Sequence, residues 1–167
     1  MKIKEDIICM KNLVFFSKKI FPTQWEHELN KLNELTLQNK LYKSGTFFYS
    51  FKDNATVNTK KEFVFYVPII LHNQKKPKLQ IGEFKNFLSI APTLIYRQAD
   101  NLDNFSLCLK EMKEYANRNS LILDDTVYVI CKEVFNEYVF DVLIQIKIDK
   151  KKNIHFQKIR NYFRKWF

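Results

Sequence analysis

The spacing of apolar positions changes several times along the chain, and each change marks an element. Trp25, Leu29, Leu32 and Leu35 recur at three- and four-residue intervals, which predicts an amphipathic helix over about 24–42. Thr23 and Glu26 fit a capping box at its start. The same spacing returns in Leu102, Phe105, Leu109, Met112 and Ala116, with Asp103 in the capping position. Between the helices the period falls to two. TFFYSF puts Phe47, Tyr49 and Phe51 on one face of a strand and Phe48 and Ser50 on the other, with Gly45 ending the helix before it. One set is expected to meet the helices and the other to be open to a partner. EFVFYVPII (62–70) and EYVFDVLIQIKI (137–148) are further strands. In the second, Tyr138, Phe140, Val142, Ile144, Ile146 and Ile148 alternate with Val139, Asp141, Leu143, Gln145 and Lys147. That alternation fits a sheet with helices on one side only.

The pattern also repeats. At an offset of 80, Val14, Phe15 and Phe16 meet Leu94, Ile95 and Tyr96. Trp25 then meets Phe105, Leu29 meets Leu109, Leu32 meets Met112, and Thr46 meets Thr126. FVFYV matches YVFDV at an offset of 75, which sets Tyr66 against Asp141. A fixed offset of this kind is the mark of a duplicated unit. KLQIGEFKNFLSI (78–90) is expected to add a strand joining the halves. The architecture is therefore α+β: two βαββ repeats, about 10–72 and 85–149, forming one mostly antiparallel sheet with helices on one face. The opposite, mixed face is expected to leave a shallow groove along the pseudo-two-fold. Residues 1–149 form this domain, and 150–167 a C-terminal tail.

Composition narrows the picture. Hydrophobic residues make up 46% and charged residues 28% of 167 positions, a globular mixture. No run reaches the roughly 18–20 apolar residues that span a bilayer, and the start of the chain does not read as a secretory signal. Cys9, Cys108 and Cys131 are scattered among apolar neighbours, which suits reduced core thiols in a cytoplasmic protein. The net charge of +10 is concentrated: seven Lys/Arg and no acids lie between Lys150 and Phe167. In that tail Phe156, Ile159, Phe163 and Trp166 form the apolar stripe of a basic amphipathic helix. Such a helix either docks on its own domain or meets an acidic partner or an anionic membrane surface, a peripheral contact.

Catalytic patterns are not found. His27, His72 and His155 are far apart, and His27 has no second ligand on its helical face. No Gly-rich phosphate loop, HExxH or GxSxG occurs, and Cys131 has no imidazole near it in sequence. A non-enzyme without cofactor or metal is expected. Nucleic-acid binding is not expected either, because the aromatics lie within strands and helix stripes while the charge is in the tail. The candidate binding residues are Tyr66, Asp141 and Leu143 on the mixed sheet face, with Phe156, Ile159, Phe163 and Trp166 in the tail. Asp141 either holds a cationic ligand beside Tyr66 or merely solvates a wet face; buried alone, it would need a partner.

The duplicated βαββ pattern resembles the GyrI-like, drug-sensing effector-binding fold, which holds amphipathic or cationic ligands between its halves. A closer resemblance is to the EsaE-like targeting chaperones encoded beside LXG-domain toxins of the Firmicutes type VII secretion system. It is carried by NLVFFSKKIF, LQNKLYKSGTFFYSF, EFVFYVPI, GEFKNFLSI, MKEYANRNSLILDDTVYVI and EYVFDVLIQI, which together span about 10–148. It implies a non-catalytic cytosolic chaperone that binds the helical N-terminal region of an LXG toxin, with associated small helical secretion partners. Such a chaperone delivers its cargo to the membrane-bound secretion ATPase. Drug-sensing relatives place a Gly-Pro-aromatic turn where this chain has RQADNLDNF (97–105). The alternative implied by the first resemblance is a sensor of lipophilic cations.

Overall fold

A computed structural model describes residues 3–53, 59–71, 76–79, 82–98, 105–135 and 137–147. In chain order the elements are β1 (Ile3–Ile20), a 3-10 turn (Pro22–Gln24), α1 (Trp25–Gln38), β2 (Tyr42–Lys43), β3 (Phe48–Lys52) and β4 (Lys61–Ile70). The second half follows with β5 (Glu83–Gln98), α2 (Ser106–Arg118), β6 (Ile122–Val134) and β7 (Glu137–Lys147). Among the described residues no helix is long and apolar enough to cross a membrane.

The architecture is α+β and duplicated as expected, but the sheet closes on itself. β1, β5, β7, β6, β3 and β4 pair in that order, and β4 pairs back to β1, every pairing antiparallel. Closure depends on the length of β1, 18 residues. Its first part, Ile3 to Phe15, runs along β5, and its last part, Leu13 to Ile20, runs along β4. The expected joining strand is not separate: Glu83 to Ile90 is the first half of β5, the counterpart of the start of β1. Pro92 lies within that continuous strand. Its missing N–H falls next to the irregularity between Asp6 and Ile8 on the partner strand, where a proline is tolerated.

The ladders define the pseudo-two-fold. Cys9 pairs with Ser89 and Tyr49 with Val129, so residues 80 apart face each other at two points on the axis. Leu13 lies opposite Pro68 and Thr93 opposite Gln145, so the final strands correspond at an offset of 77, not 75. The pairs Phe48–Tyr66 and Tyr128–Leu143 give the same offset. Tyr66 is therefore the counterpart of Leu143, and Asp141 of Val64. Aligning the aromatic letters slips the strand by two, a shift that leaves every side chain on its proper face.

Both faces are buried. One packs Tyr49, Phe51, Phe65, Val129, Phe140 and Val142 against Trp25, Leu32, Leu109 and Met112 of the helices. The other turns inward, bringing Leu13, Phe48, Tyr66, Leu88 and Ile90 together from strands on opposite sides of the ring. Phe48 is 0% exposed, so the second face of TFFYSF is core as well and is not open to a partner. α1 stops at Gln38, before the expected 42, with Lys40 in the left-handed region at φ 53°. Gly45 therefore does not end the helix; its Cα approaches the Pro68 ring so closely that a Cβ would lie 3.3 Å from Cγ. Thr23 and Glu26 make no capping box either: the Gln24 side chain accepts the Phe21 N–H at 3.1 Å. Leu102 and Asp103 lie outside the described residues.

Candidate binding groove

Beyond Leu13 and Pro68 the β1–β4 ladder ends, because β1 continues along β5 while β4 continues along β2. The strands diverge there, and a groove of about 1020 Å³ opens in the fork. Met10, Pro68, Ile69, Ile70, Leu71 and Ile130 give it an apolar side, and Asn12, Ser44 and Thr46 a polar one; among the described residues Lys11 is its only charged one. Ile70 and its cross-strand neighbour Tyr42 are exposed at its edge. The symmetry-related fork is different in chemistry. There Asp124 and Asp125 stand where the first has Ser44 and Gly45, and Gln145 stands where it has Pro68. The Gln145 amide donates across that fork to the Ala91 carbonyl at 3.3 Å.

Across the inward face runs one row of paired residues: Phe15, Tyr66, Phe48, Ile130, Asp141 and Arg97. At one end the rings stack, Phe48 on Tyr66 at 4.6 Å and Phe15 on Tyr66 at 5.6 Å. Tyr66 Oη lies 3.5 Å from Ser50 Oγ. The phenol of Tyr128, in the neighbouring row, is pushed up to about 12 by burial, with Tyr66 and Asp124 adding to the effect. At the other end Asp141 is buried and accepts hydrogen bonds from Arg97 Nε at 2.7 Å, Arg97 Nη2 at 3.1 Å and Lys132 Nζ. Burial raises its pKa, but the two cations outweigh burial and hold the carboxyl below the usual range.

Tyr66, Asp141 and Leu143 do share a face, as the alternation predicts. They do not form one site. Tyr66 and Asp141 are separated by β3 and β6, about 14 Å at ordinary strand spacing. Leu143 is fully buried in the next row, between Ile95 and Tyr128. The mixed face is thus neither wet nor an open counter-ion pocket, because Asp141 already has two partners. The tail candidates Phe156, Ile159, Phe163 and Trp166 lie outside the described residues. His27 is exposed on α1, while His72 and His155 fall outside. Cys108 and Cys131 are buried thiols whose pKa burial raises, to about 12 for Cys108; Cys9 is exposed, unlike the expected core thiol.

Sequence reasoning missed Arg97 and Lys132, and it expected the groove on the mixed face along the pseudo-two-fold, whereas the groove opens in the β1–β4 fork. The alternation of Tyr128, Ile130 and Lys132 placed Lys132 on Asp141's face, but only the register shows that they meet. It also missed Glu28, buried at 3% exposure on a helix otherwise read for its leucines. Glu28 Oε1 takes Lys18 Nζ at 2.8 Å and Lys31 Nζ at 3.2 Å, and its Oε2 is buried without a partner among the described residues.

A closed, duplicated βαββ sheet with two helices on one face is the fold of the GyrI-like effector-binding domains. The EcmrR C-terminal domain superposes with a TM-score of 0.63 at 8% identity, over 89% of this chain and 100% of that one. A structure described as a hydrolase encoded by lin2189 from Listeria innocua gives 0.62 at 8% identity, over 87% and 92%. SAV2435, bound to tetraphenylphosphonium, gives 0.54 at 8% identity, over 93% and 99%. Residues 9–150 match the family described as "Domain of unknown function (DUF5085)", and the chain belongs to that family. No curated protein matches the chain.

Proposed function

We propose that the protein is a non-catalytic adaptor of the type VII secretion pathway. In this reading it binds the helical N-terminal region of an LXG toxin in the cytoplasm and hands it to the membrane secretion ATPase. The observation that carries the reading is the open apolar groove between β1 and β4, beside a ring interior filled by the protein's own side chains. A surface of this kind suits a partner's apolar segment better than a small molecule that must be enclosed. The likeness of residues 10–148 to the targeting chaperones supports the choice of cargo. The buried, high-pKa thiols of Cys108 and Cys131 suit a non-catalytic role, since the thiolate is the nucleophile. The test is co-expression with an LXG toxin of the same organism, followed by affinity capture. A stoichiometric complex is expected, and toxin that is soluble, folded and never captured would count decisively against the reading.

A second reading follows from SAV2435, which shares the fold and was found with tetraphenylphosphonium. Such a ligand would have to open the stack of Phe15 on the buried Tyr66 and Phe48 to use their rings. It is the weaker reading, because the carboxylate of the same face is neutralised by Arg97 and Lys132. Titration with tetraphenylphosphonium decides it: a rise in melting temperature is required, and a flat response excludes it.

A further inference from the structure

The groove and the charged cluster share a border. Ile130 lines the groove and pairs directly with Asp141, and Lys132 follows two residues on along the same face. Asp141 takes two N–H groups of Arg97 and one of Lys132. A guanidinium carries five such donors and an ammonium three, so most of them remain for another acceptor. Arg97 is 61% exposed and Lys132 39%, so both cations are open to solvent beside Asp141. Two cations on one carboxylate leave the cluster with a net positive charge. Among the described residues no acid lines this groove, whereas the symmetry-related fork carries Asp124 and Asp125.

We infer that the groove, together with Arg97 and Lys132, is a docking site for an amphipathic helix of the cargo whose apolar stripe is bordered by carboxylates. This rests on the adaptor reading and specifies what the cargo must present. The apolar side chains fill the fork against Met10, Ile70 and Ile130. A bordering Asp or Glu takes the remaining donors of Arg97 and Lys132, as a charge-assisted contact. The groove is open along the fork, so one face of a short helix, some 10–12 Å across, lies against it with the polar side in solvent.

Calorimetric titration of the full chain with the purified N-terminal region of its LXG toxin tests the inference. Ile70→Asp, at an exposed edge position, should weaken binding tenfold or more. Lys11→Glu should weaken it several-fold, and wild-type affinity should fall as salt is raised. The discriminating variant is Asp141→Asn. It releases Arg97 and Lys132 from their internal carboxylate and should tighten binding several-fold at low salt. A site for cations would instead lose affinity in that variant. Should Asp141→Asn not fold, Arg97→Gln replaces it, with several-fold weaker binding expected. Cargo binding that ignores Ile70→Asp, Lys11→Glu and salt overturns this inference and leaves the adaptor reading standing. Failure of the wild type to bind the toxin region overturns both.

Discussion

Two buried carboxylates, Glu28 and Asp141, have been given different solutions to the same problem. Asp141 has both oxygens engaged; Glu28 has its two lysines on one oxygen and the other orphaned. At the position equivalent to Glu28 the second repeat has Cys108, buried and apolar in behaviour. Lys18 and Lys31 are about half exposed, so solvent screens both contacts and each stabilises the fold only slightly. Burial raises the Glu28 pKa, yet Lys18 and Lys31 together outweigh it and hold the carboxyl below its usual range; an apolar side chain of similar volume would avoid the desolvation altogether. Glu28→Met is therefore expected to leave the melting temperature unchanged or to raise it; a fall of more than about 5 °C would show that the ion pairs dominate. Asp141 is shifted in the same direction, with both of its oxygens engaged. Its folded pKa lies below the unfolded value, so the unfolded chain binds the proton more readily as pH drops. The stability it contributes is present above the unfolded pKa, about 3.9, and is lost as pH falls through the folded value. Denaturant titrations between about pH 6 and 2.5 should show a shallower loss below about pH 4 in Asp141→Asn than in wild type. Parallel curves would remove Asp141 from the acid response.

At the scale of elements, the long first strands make the ring, and the turn into β5 sets its register. Gly82 sits at φ 90°, and a Cβ there would lie 2.9 Å from the Phe15 carbonyl oxygen. Gly82→Ala thus combines left-handed strain with a backbone clash, at an expected loss of about 1–3 kcal/mol in equilibrium unfolding. An unchanged midpoint would mean that the turn relaxes freely. The same elements show what the amino-acid pattern could reveal. Helix stripes and strand alternation were legible because each side chain's face depends only on its neighbours in sequence: Leu32 and Met112 are fully buried where their spacing placed them. The joining of Glu83–Ile90 to β5 was not, since Lys85, Asn86 and Pro92 break the apolar run and only pairing with β1 unites it. Ring closure and the meeting of Arg97 with Asp141 depend on cross-strand register, which no local pattern carries. Asp141 itself was visible as a charge in an apolar strand; its partners were 44 and 9 residues away.

For the whole molecule, duplication explains how one fork is an open groove while the other is bridged by Gln145. Equal backbones place two equivalent openings in the ring, and substitutions at matched positions separate them: Pro68 against Gln145, and Ser44 and Gly45 against Asp124 and Asp125. The two-fold axis is itself open to test, because it sets a cysteine against its own counterpart. Cys9 is exposed, and its Sγ lies 3.7 Å from Ser89 Oγ, 80 residues along the chain. Directly opposed residues of an antiparallel pair have Cα atoms about 4.5–5.5 Å apart, within the span a disulfide accepts. Ser89→Cys should therefore oxidise to an intramolecular bond with Cys9. Closing so long a loop restricts the unfolded chain and should add about 2–4 kcal/mol of stability, removed on reduction. The comparison is melting temperature with and without dithiothreitol, beside a count of free thiols. Failure to crosslink, with both thiols titrating in the folded protein, would displace the β1–β5 register and with it the axis on which the two forks are related.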